Sequence, residues 1–256
     1  MSTTTELDTV ELARQIRALY RVVAEEPSAN FHFPLGRPLA EQLGYPAELL
    51  DGIPAEALAS FAGVGYALDI AGLVPGQRVL DLGSGSGTDS FAAAMLVGPT
   101  GQITGVDMTE EQRTKADRRR GEAAHVRFVS GRLEDLPFPA ASFDVVISNG
   151  VINLCPDKAG VFAEIARVLV PGGRLAIADV IATRALPHAI RCDADLWSAC
   201  IGGAEAEDEY RAAIEATGLK IDSMREVPQY QFLTDQARRA SHSYGVRAIT
   251  LAASRP

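Results

Sequence analysis

Apolar residues recur at helical spacing near the start of the chain. Wound at about 3.6 residues per turn, residues 9–25 present one apolar face and one charged face. The apolar face consists of Leu12, Ile16, Leu19, Tyr20 and Val23. The pattern predicts an amphipathic helix over Thr9–Glu25, which needs another surface to pack on. We therefore expect residues 1–60 to form a helical lid on a domain formed by residues 61–256.

From Gln77 onward, strand-like and helix-like patterns alternate. This alternation predicts a parallel sheet with helices on both of its faces. The strand-like segments are Arg78–Leu82, Gln102–Asp107, Val126–Ser130, Phe143–Ser148, Arg174–Asp179, Leu219–Val227 and Gly245–Ala253. The helix-like segments are Thr88–Val97, Glu110–Arg120, Lys158–Val170 and Ala206–Thr217.

The last two predicted strands follow each other without a helix-like segment between them. Residues Pro228–Tyr244, which join them, have the pattern of a loop. The final strand is therefore expected to insert antiparallel beside its predecessor. The predicted fold is α/β: a Rossmann-like sheet of seven strands, mostly parallel, with an antiparallel last strand and helices on both faces.

The first predicted strand runs directly into a glycine-rich turn. Three glycines at alternate positions can adopt backbone angles that other residues avoid, and they let a ligand approach the main chain. The helix that follows offers unpaired N–H groups at its start. The run is Val79-Leu80-Asp81-Leu82-Gly83-Ser84-Gly85-Ser86-Gly87. It predicts a nucleotide-binding turn, although dehydrogenases use a similar fingerprint.

An acid ends the second predicted strand. Asp107 lies 24 residues after Gly83, where a carboxylate can accept hydrogen bonds from both hydroxyls of a ribose. The alternative is that Asp107 caps the next helix, which begins with Thr109-Glu110-Glu111. The glycine turn upstream favours the ribose role.

A loop follows the third predicted strand, over Gly131–Phe138. A backbone N–H and a carboxylate in this loop, at Leu133 and Glu134, are in the right register to recognise the edge of an adenine base. The alternative is an ordinary loop that Pro137 ends.

Composition narrows the choice of partners. The 256 residues carry a net charge of −9, which disfavours nucleic acid and anionic membranes as partners. No apolar run approaches the roughly 20 residues of a membrane span, and the polar start of the chain does not have the pattern of a signal peptide. The three cysteines form no disulfide framework, so a cytoplasmic location is expected. The chain is expected to be a monomer or a homodimer.

Together these motifs resemble the class I S-adenosylmethionine-dependent methyltransferases over residues 60–255. The glycine turn, Gly105-Val106-Asp107-Met108, Leu136-Pro137-Phe138 and Leu169-Val170-Pro171-Gly172-Gly173 carry the resemblance. It implies that S-adenosylmethionine is the cofactor and that the methyl acceptor is a small molecule. The implied cofactor-binding residues are Asp81, Gly83, Ser84, Gly85, Gly87, Asp107, Met108, Leu133, Glu134 and Asn149.

A narrower resemblance is to the arsenite methyltransferases. The runs that carry it are Val97-Gly98-Pro99-Thr100-Gly101, Gly105-Val106-Asp107-Met108-Thr109, Val146-Ile147-Ser148-Asn149-Gly150-Val151-Ile152-Asn153-Leu154, Pro156-Asp157-Lys158 and Cys200-Ile201-Gly202-Gly203-Ala204. That family binds trivalent arsenic through cysteine thiolates, which suit a soft centre.

This chain departs from the arsenite pattern at the thiolates themselves. Gly150 and Val64 stand where the resemblance implies cysteines, and only Cys200 matches. A rearranged site that uses Cys155 and Cys192 with Cys200 is an alternative. Cys192 and Cys200 also share a helical stripe, for which core packing is the simpler interpretation.

The candidate catalytic residues are therefore His32, Asn149 and Cys200. The backbone near Asn149 should face the methyl group, and His32 is the best base for an oxygen or carbon acceptor, although its aromatic surroundings equally suit a structural role. A thiol or arsenic(III) acceptor needs little help from a base. Other readings remain open: arsenite methylation at rearranged cysteines, cofactor binding without catalysis, and an NAD-dependent dehydrogenase.

Overall fold

One mixed sheet organises the part of the chain that the computed structural model describes, residues 7–121, 123–193, 196–197 and 200–256. Its seven strands lie in the order β3-β2-β1-β4-β5-β7-β6. Their bounds are β1 Arg78–Leu82, β2 Gln102–Asp107, β3 Val126–Ser130, β4 Phe143–Asn149, β5 Leu169–Ile181, β6 Lys220–Glu226 and β7 Arg247–Ser254. The first five strands run parallel, and β7 pairs antiparallel with both β5 and β6. The predicted fold class and the inserted last strand are confirmed.

The helices surround this sheet. The longer ones are α1 Thr9–Glu25, α6 Thr88–Val97, α7 Glu110–Arg119, α8 Lys158–Val168, α10 Glu207–Glu215 and α11 Asp235–Tyr244. The short ones are α2 Gly36–Gln42, α3 Ala47–Asp51, α4 Ala55–Ala59, α5 Leu68–Ala71 and α9 His188–Arg191, with a single 3-10 turn at Ile152–Leu154. The predicted bounds of α1 and α6 are confirmed, and α7, α8 and α10 differ from prediction by one or two residues at an end.

The prediction of a loop over Pro228–Tyr244 was wrong, because α11 fills its second half. The segment is mostly polar, and its apolar pattern is short: among its described side chains, Ala240 is buried and Tyr244 packs against the first core. The helix is held by its own backbone and by an ion pair one turn apart, in which Arg238 donates to Asp235 at 2.7 Å.

Alternate side chains of each strand point to two separate cores. One face carries Val79 and Ile147 and packs against the N-terminal segment and α6. The other carries Leu80 and Val146 and packs against α8 and α10. This period-two division follows from strand geometry, and the apolar runs of β1 and β4 supply both cores.

The N-terminal segment shares the first core and is anchored to α7 by polar contacts. The Lys115 ammonium donates to the carbonyl of Ala24 and to the Ser60 hydroxyl, both at 2.8 Å. The Gln112 amide donates to the carbonyl of Tyr20 at 2.9 Å. These bonds hold the second half of α1 in place. Residues 1–6 of the expected lid lie outside the described residues. Among the described helices, none combines the length and the apolarity that crossing a membrane would require.

Candidate functional site

A cleft lies at the carboxyl-terminal edge of the sheet, where β1, β2 and β4 end. Open α/β sheets bind ligands at this edge, where the strand order reverses, and β1 lies at that reversal, between β2 and β4. The lining includes these predicted cofactor residues: Asp81, Gly83, Ser84, Gly85, Asp107, Met108, Leu133, Glu134 and Asn149. The facing wall belongs to α1: Thr9, Leu12, Ala13, Ile16 and Tyr20.

The glycine turn after β1 brings bare backbone to this cleft. Gly83 and Gly85 have left-handed backbones, with φ of +68° and +51°. A Cβ on Gly83 would lie 2.3 Å from a methyl carbon of Val151, whereas the nearest atom to a Cβ on Gly85 would be 3.7 Å away. Gly83 is therefore required by packing, and Gly85 faces open space in the cleft. The buried hydroxyl of Ser84 makes no hydrogen bond within the described chain.

Asp107, at the end of β2, braces the glycine turn. One of its carboxylate oxygens accepts from the N–H of Gly85 at 2.9 Å, and the other from the N–H of Thr109 at 2.7 Å. Burial raises the pKa of Asp107, while these two backbone bonds and the nearby Arg113 act in the opposite direction. Its carboxylate thus stabilises the turns after β1 and β2 and still lines the cleft.

Two further acids are buried at the inner end of the cleft. Asp81, the last residue but one of β1, accepts from the Ser90 hydroxyl at 2.6 Å. Asp89, in the first turn of α6, accepts from the Tyr45 hydroxyl at 2.5 Å and from the Asn149 amide at 3.0 Å. Burial, and then the charge of Asp89, raise the pKa of Asp81 to about 8. Burial also raises the pKa of Asp89.

Sequence analysis missed Asp89 and Tyr45. An acid in the first turn of a helix is ordinary, because it complements the helix dipole. Nothing in the pattern indicated that Asp89 is only 8% exposed or that a tyrosine 44 residues earlier would reach it.

Asn149, at the end of β4, ties the cleft to the N-terminal segment. Its side-chain oxygen accepts from the N–H of Val64 at 2.8 Å, and its amide also donates to the carbonyl of Gly65 at 2.8 Å. The same amide is 3.1 Å from the Tyr45 hydroxyl. Asn149 therefore orients the irregular segment that passes the cleft at residues 63–65.

The loop after β3, together with the glycine turn and Asp107, forms what we call the outer end of the cleft. Leu133 is buried, and the half-buried Glu134 pairs with Arg132 at 3.5 Å. The carboxylate of Glu164 on α8 fixes this loop, because it accepts from the N–H of Leu136 at 2.8 Å. Met108, also part of the lining, packs against the first core.

The two positions where the arsenite pattern implies cysteines lie against each other at the inner end of the cleft. A Cβ built on Gly150 would lie 3.4 Å from a methyl carbon of Val64. Gly150 lines the cleft, has a φ of +71° and donates its N–H to the carbonyl of Ala178 at 2.8 Å. A valine methyl and a bare backbone thus occupy the place of two thiols.

The three cysteines have different surroundings. Cys155 lines the cleft, Cys192 packs beside His188 with its sulfur 3.5 Å from Nε2, and Cys200 is buried. Burial raises the pKa of Cys155 to about 12 and that of Cys200 to about 11. Among the described residues, no group of three or more Cys, His, Asp or Glu side chains is arranged to hold a metal ion.

Three predicted site residues lie outside the described lining of the cleft: His32, Gly87 and Cys200. His32 packs edge-on against Phe33, with ring centroids 4.7 Å apart. Gly87 caps α6, and a Cβ there would lie 2.8 Å from the rings of Phe91 and Phe128, so its role is packing.

The family described as "Methyltransferase domain" matches residues 73–218. The chain is 38% identical, over 85% of its length, to an arsenite methyltransferase from Halobacterium salinarum and covers 56% of that protein. It therefore spans about half the length of the curated relatives it matches.

Two solved structures place the fold. An arsenic(III) S-adenosylmethionine methyltransferase from Chlamydomonas reinhardtii matches 87% of this chain, and 74% of its own, with a TM-score of 0.63 and 32% identity. A geranyl diphosphate C-methyltransferase from Streptomyces coelicolor matches 97% of this chain and 98% of its own, with a TM-score of 0.69. At 19% identity, the second match shows the fold alone.

Proposed function

Because this chain belongs to the methyltransferase-domain family of S-adenosylmethionine-dependent enzymes, we propose that it transfers a methyl group to a small organic acceptor and not to arsenite. The observation that carries this proposal is that Val64 and Gly150, where the arsenite pattern implies thiols, lie side by side: a Cβ on Gly150, which lines the cleft, would be 3.4 Å from a methyl carbon of Val64. The sheet with its inserted antiparallel strand belongs to this family and not to the six-stranded dinucleotide-binding arrangement.

The described cleft fits S-adenosylmethionine. Gly85 leaves space where any side chain would intrude, and the buried Ser84 hydroxyl has no partner within the described chain. We assign the ribose hydroxyls to Asp107, the adenine edge to Leu133 and Glu134, and the methionyl tail to the turn and to Asp81. The sulfonium supplies an activated methyl carbon, and the protein supplies position and exclusion of water.

The thiols of this chain support an acceptor other than arsenite. Arsenic(III) binds thiolates, and at neutral pH Cys155 and Cys200 remain protonated because burial raises the pKa of both. Cys192 lies beside His188 and outside the described lining of the cleft. A rearranged site built on all three cysteines would have to bring these separate places together.

The wall that faces the glycine turn supports an apolar organic acceptor. Leu12 and Ile16 of α1 are nearly inaccessible to solvent, and with Phe61 they line the cleft over its inner half. We propose that α1 and the segment behind it act as the lid, which excludes water during an in-line displacement.

The polar groups of the lining suggest which atom of the acceptor is methylated. The described lining contains no histidine or lysine side chain, and we assign its buried acids, Asp81, Asp89 and Asp107, to the cofactor and not to the acceptor. The acceptor's nucleophile therefore ionises readily by itself, as the sulfur of a thiol or the oxygen of an acidic phenol does. His32, the sequence-predicted base, is assigned a packing role beside Phe33.

Methyl transfer from radiolabelled S-adenosylmethionine to arsenite, to a small thiol and to an acidic phenol tests this proposal. We expect label in the thiol or the phenol and none in arsenite. Rapid methylation of arsenite that Cys200→Ser abolishes would overturn the assignment, and its further loss in Cys192→Ser would show that the rearranged cysteine site holds the arsenic. Cofactor binding without transfer to any organic acceptor would also overturn it, in favour of a binding protein.

A further inference from the structure

The inner end of the cleft contains an unusual concentration of buried acid. Asp81 is 2% exposed and Asp89 is 8% exposed, and both line the cleft. The charged groups that act on Asp81 are Asp89 and then Asp107, which are also acids. Two ionised carboxylates in such a place repel each other and lose their hydration, so the free protein favours a state in which one of them is protonated.

Each acid of the pair accepts hydrogen bonds that favour its ionised form, Asp81 from the hydroxyl and the N–H of Ser90. Asp89 accepts from the Tyr45 hydroxyl and the Asn149 amide, which both favour its ionised form. The pair therefore holds a proton in common, and Tyr45 and Asn149 fix the orientation of the Asp89 carboxylate.

We propose that Asp81 and Asp89 hold one shared proton in the free protein and release it to solvent when the ammonium group of the cofactor's methionyl tail binds beside them. This inference rests on the proposed function, because it assigns the tail to this end of the cleft. A bound cation replaces the proton as the counter-charge of the pair, so the second carboxylate ionises. Tyr45 and Asn149 are positioning residues, since they act through Asp89.

Two inert analogues separate the tail from the rest of the cofactor. S-adenosylhomocysteine keeps the ammonium group, whereas 5′-methylthioadenosine lacks the whole tail. Calorimetric titration of each at pH 7, in buffers of different ionisation enthalpy, counts the protons that binding releases. We expect about one proton per S-adenosylhomocysteine and none for methylthioadenosine, and an S-adenosylhomocysteine affinity that rises up to tenfold per pH unit between about pH 6 and pH 7.

The sign of the pH dependence follows from the raised pKa of Asp81, which is about 8. Below this value the free pair carries its proton, and binding must displace it, so affinity falls as the pH falls. Above it the free pair is already ionised, and the proton release disappears. Asp107 has a raised pKa too and faces the ribose, so a proton released by Asp107 would accompany methylthioadenosine as well.

Variants sharpen the assignment. Asp89→Asn removes the repulsion, so the proton release on binding S-adenosylhomocysteine should fall below half. Tyr45→Phe removes a bond that favours ionised Asp89, so affinity should fall more at pH 6 than at pH 7.5. The matched control is Tyr66→Phe: Tyr66 packs on Tyr45, with ring centroids 4.2 Å apart, but Asp89 accepts from Tyr45.

The possible outcomes distinguish this inference from the proposed function. Binding of S-adenosylhomocysteine without proton release would overturn the inference and leave the function standing. Equal proton release with both analogues would also overturn it, in favour of Asp107. No binding of S-adenosylhomocysteine at all would instead count against the proposed function.

Discussion

The outer and inner ends of the cleft are built by different means. The outer end is held together mainly by backbone groups and one carboxylate. The Asp107 carboxylate accepts from the N–H groups of Gly85 and Thr109 and so fixes the two turns. At the inner end, side chains from distant parts of the chain meet: Tyr45, Asp89 and Asn149. A backbone-built site permits few residue types at each position, whereas a side-chain-built site can change its chemistry through single substitutions.

This difference explains why the cofactor can be named and the acceptor must be proposed. The glycine turn requires left-handed angles and tolerates almost no other residues. The acceptor end tolerates valine and glycine where the arsenite pattern implies thiols, and the fold around them is retained. The donor is therefore a property of the fold, and the acceptor is a property of a few side chains.

The largest loss of cofactor affinity is expected from Asp107→Ala, which removes the carboxylate that holds the outer end together. The variant leaves the N–H groups of Gly85 and Thr109 without their charged acceptor and removes the proposed ribose ligand. Charge-assisted bonds contribute about 1.5–3 kcal/mol each, so we expect affinity for S-adenosylhomocysteine to fall at least about 100-fold. Calorimetric titration measures this loss.

Asp117→Ala is the matched control, because Asp117 is an exposed acid on α7. It should leave the affinity within about twofold of the unmodified chain. If Asp107→Ala bound S-adenosylhomocysteine as well as this control does, the outer end would not depend on the acid as we describe.

The next effect compares two glycines of one turn. Gly83→Ala would force a methyl group to within 2.3 Å of Val151 at a left-handed backbone, and crowding and strain together cost about 2–5 kcal/mol. Gly85→Ala meets only the backbone strain, about 1–2 kcal/mol, because its nearest neighbour is 3.7 Å away. Thermal or urea unfolding should therefore show the larger loss of stability in Gly83→Ala.

Gly85→Ala should lose more cofactor affinity than stability, in contrast to Gly83→Ala. Its methyl group projects into the space that the cofactor needs, so affinity for S-adenosylhomocysteine should fall by more than its stability loss accounts for. Equal losses of stability in the two variants would contradict the geometry of the turn.

The sequence predicts the outer end well and the inner end poorly, for a physical reason. Glycines, strand-end acids and periodic apolar residues report local backbone requirements, which is why β1, β2 and α6 begin and end where predicted. The bond between Tyr45 and Asp89 depends on how the N-terminal segment packs on the sheet, and no local pattern encodes it. Likewise, the apolar stripe of α11 is short and lies within a mostly polar segment, as Ala237, Ala240 and Tyr244, so the sequence analysis overlooked it.

The smallest effect concerns the reactivity of the three thiols, which tests whether this chain can offer thiolates to a soft acceptor. A thiol reacts through its thiolate, and the raised pKa values of Cys155 and Cys200, about 12 and about 11, keep both protonated at pH 7.5. We expect one thiol of the native chain, Cys192, to react rapidly with an aromatic disulfide reagent, and all three to react after denaturation. Cys192→Ser should abolish the fast phase and leave affinity for S-adenosylhomocysteine unchanged. Fast reaction of Cys155 and Cys200 together would instead show that both are accessible as thiolates, which would remove our argument from the thiols against a soft acceptor centre.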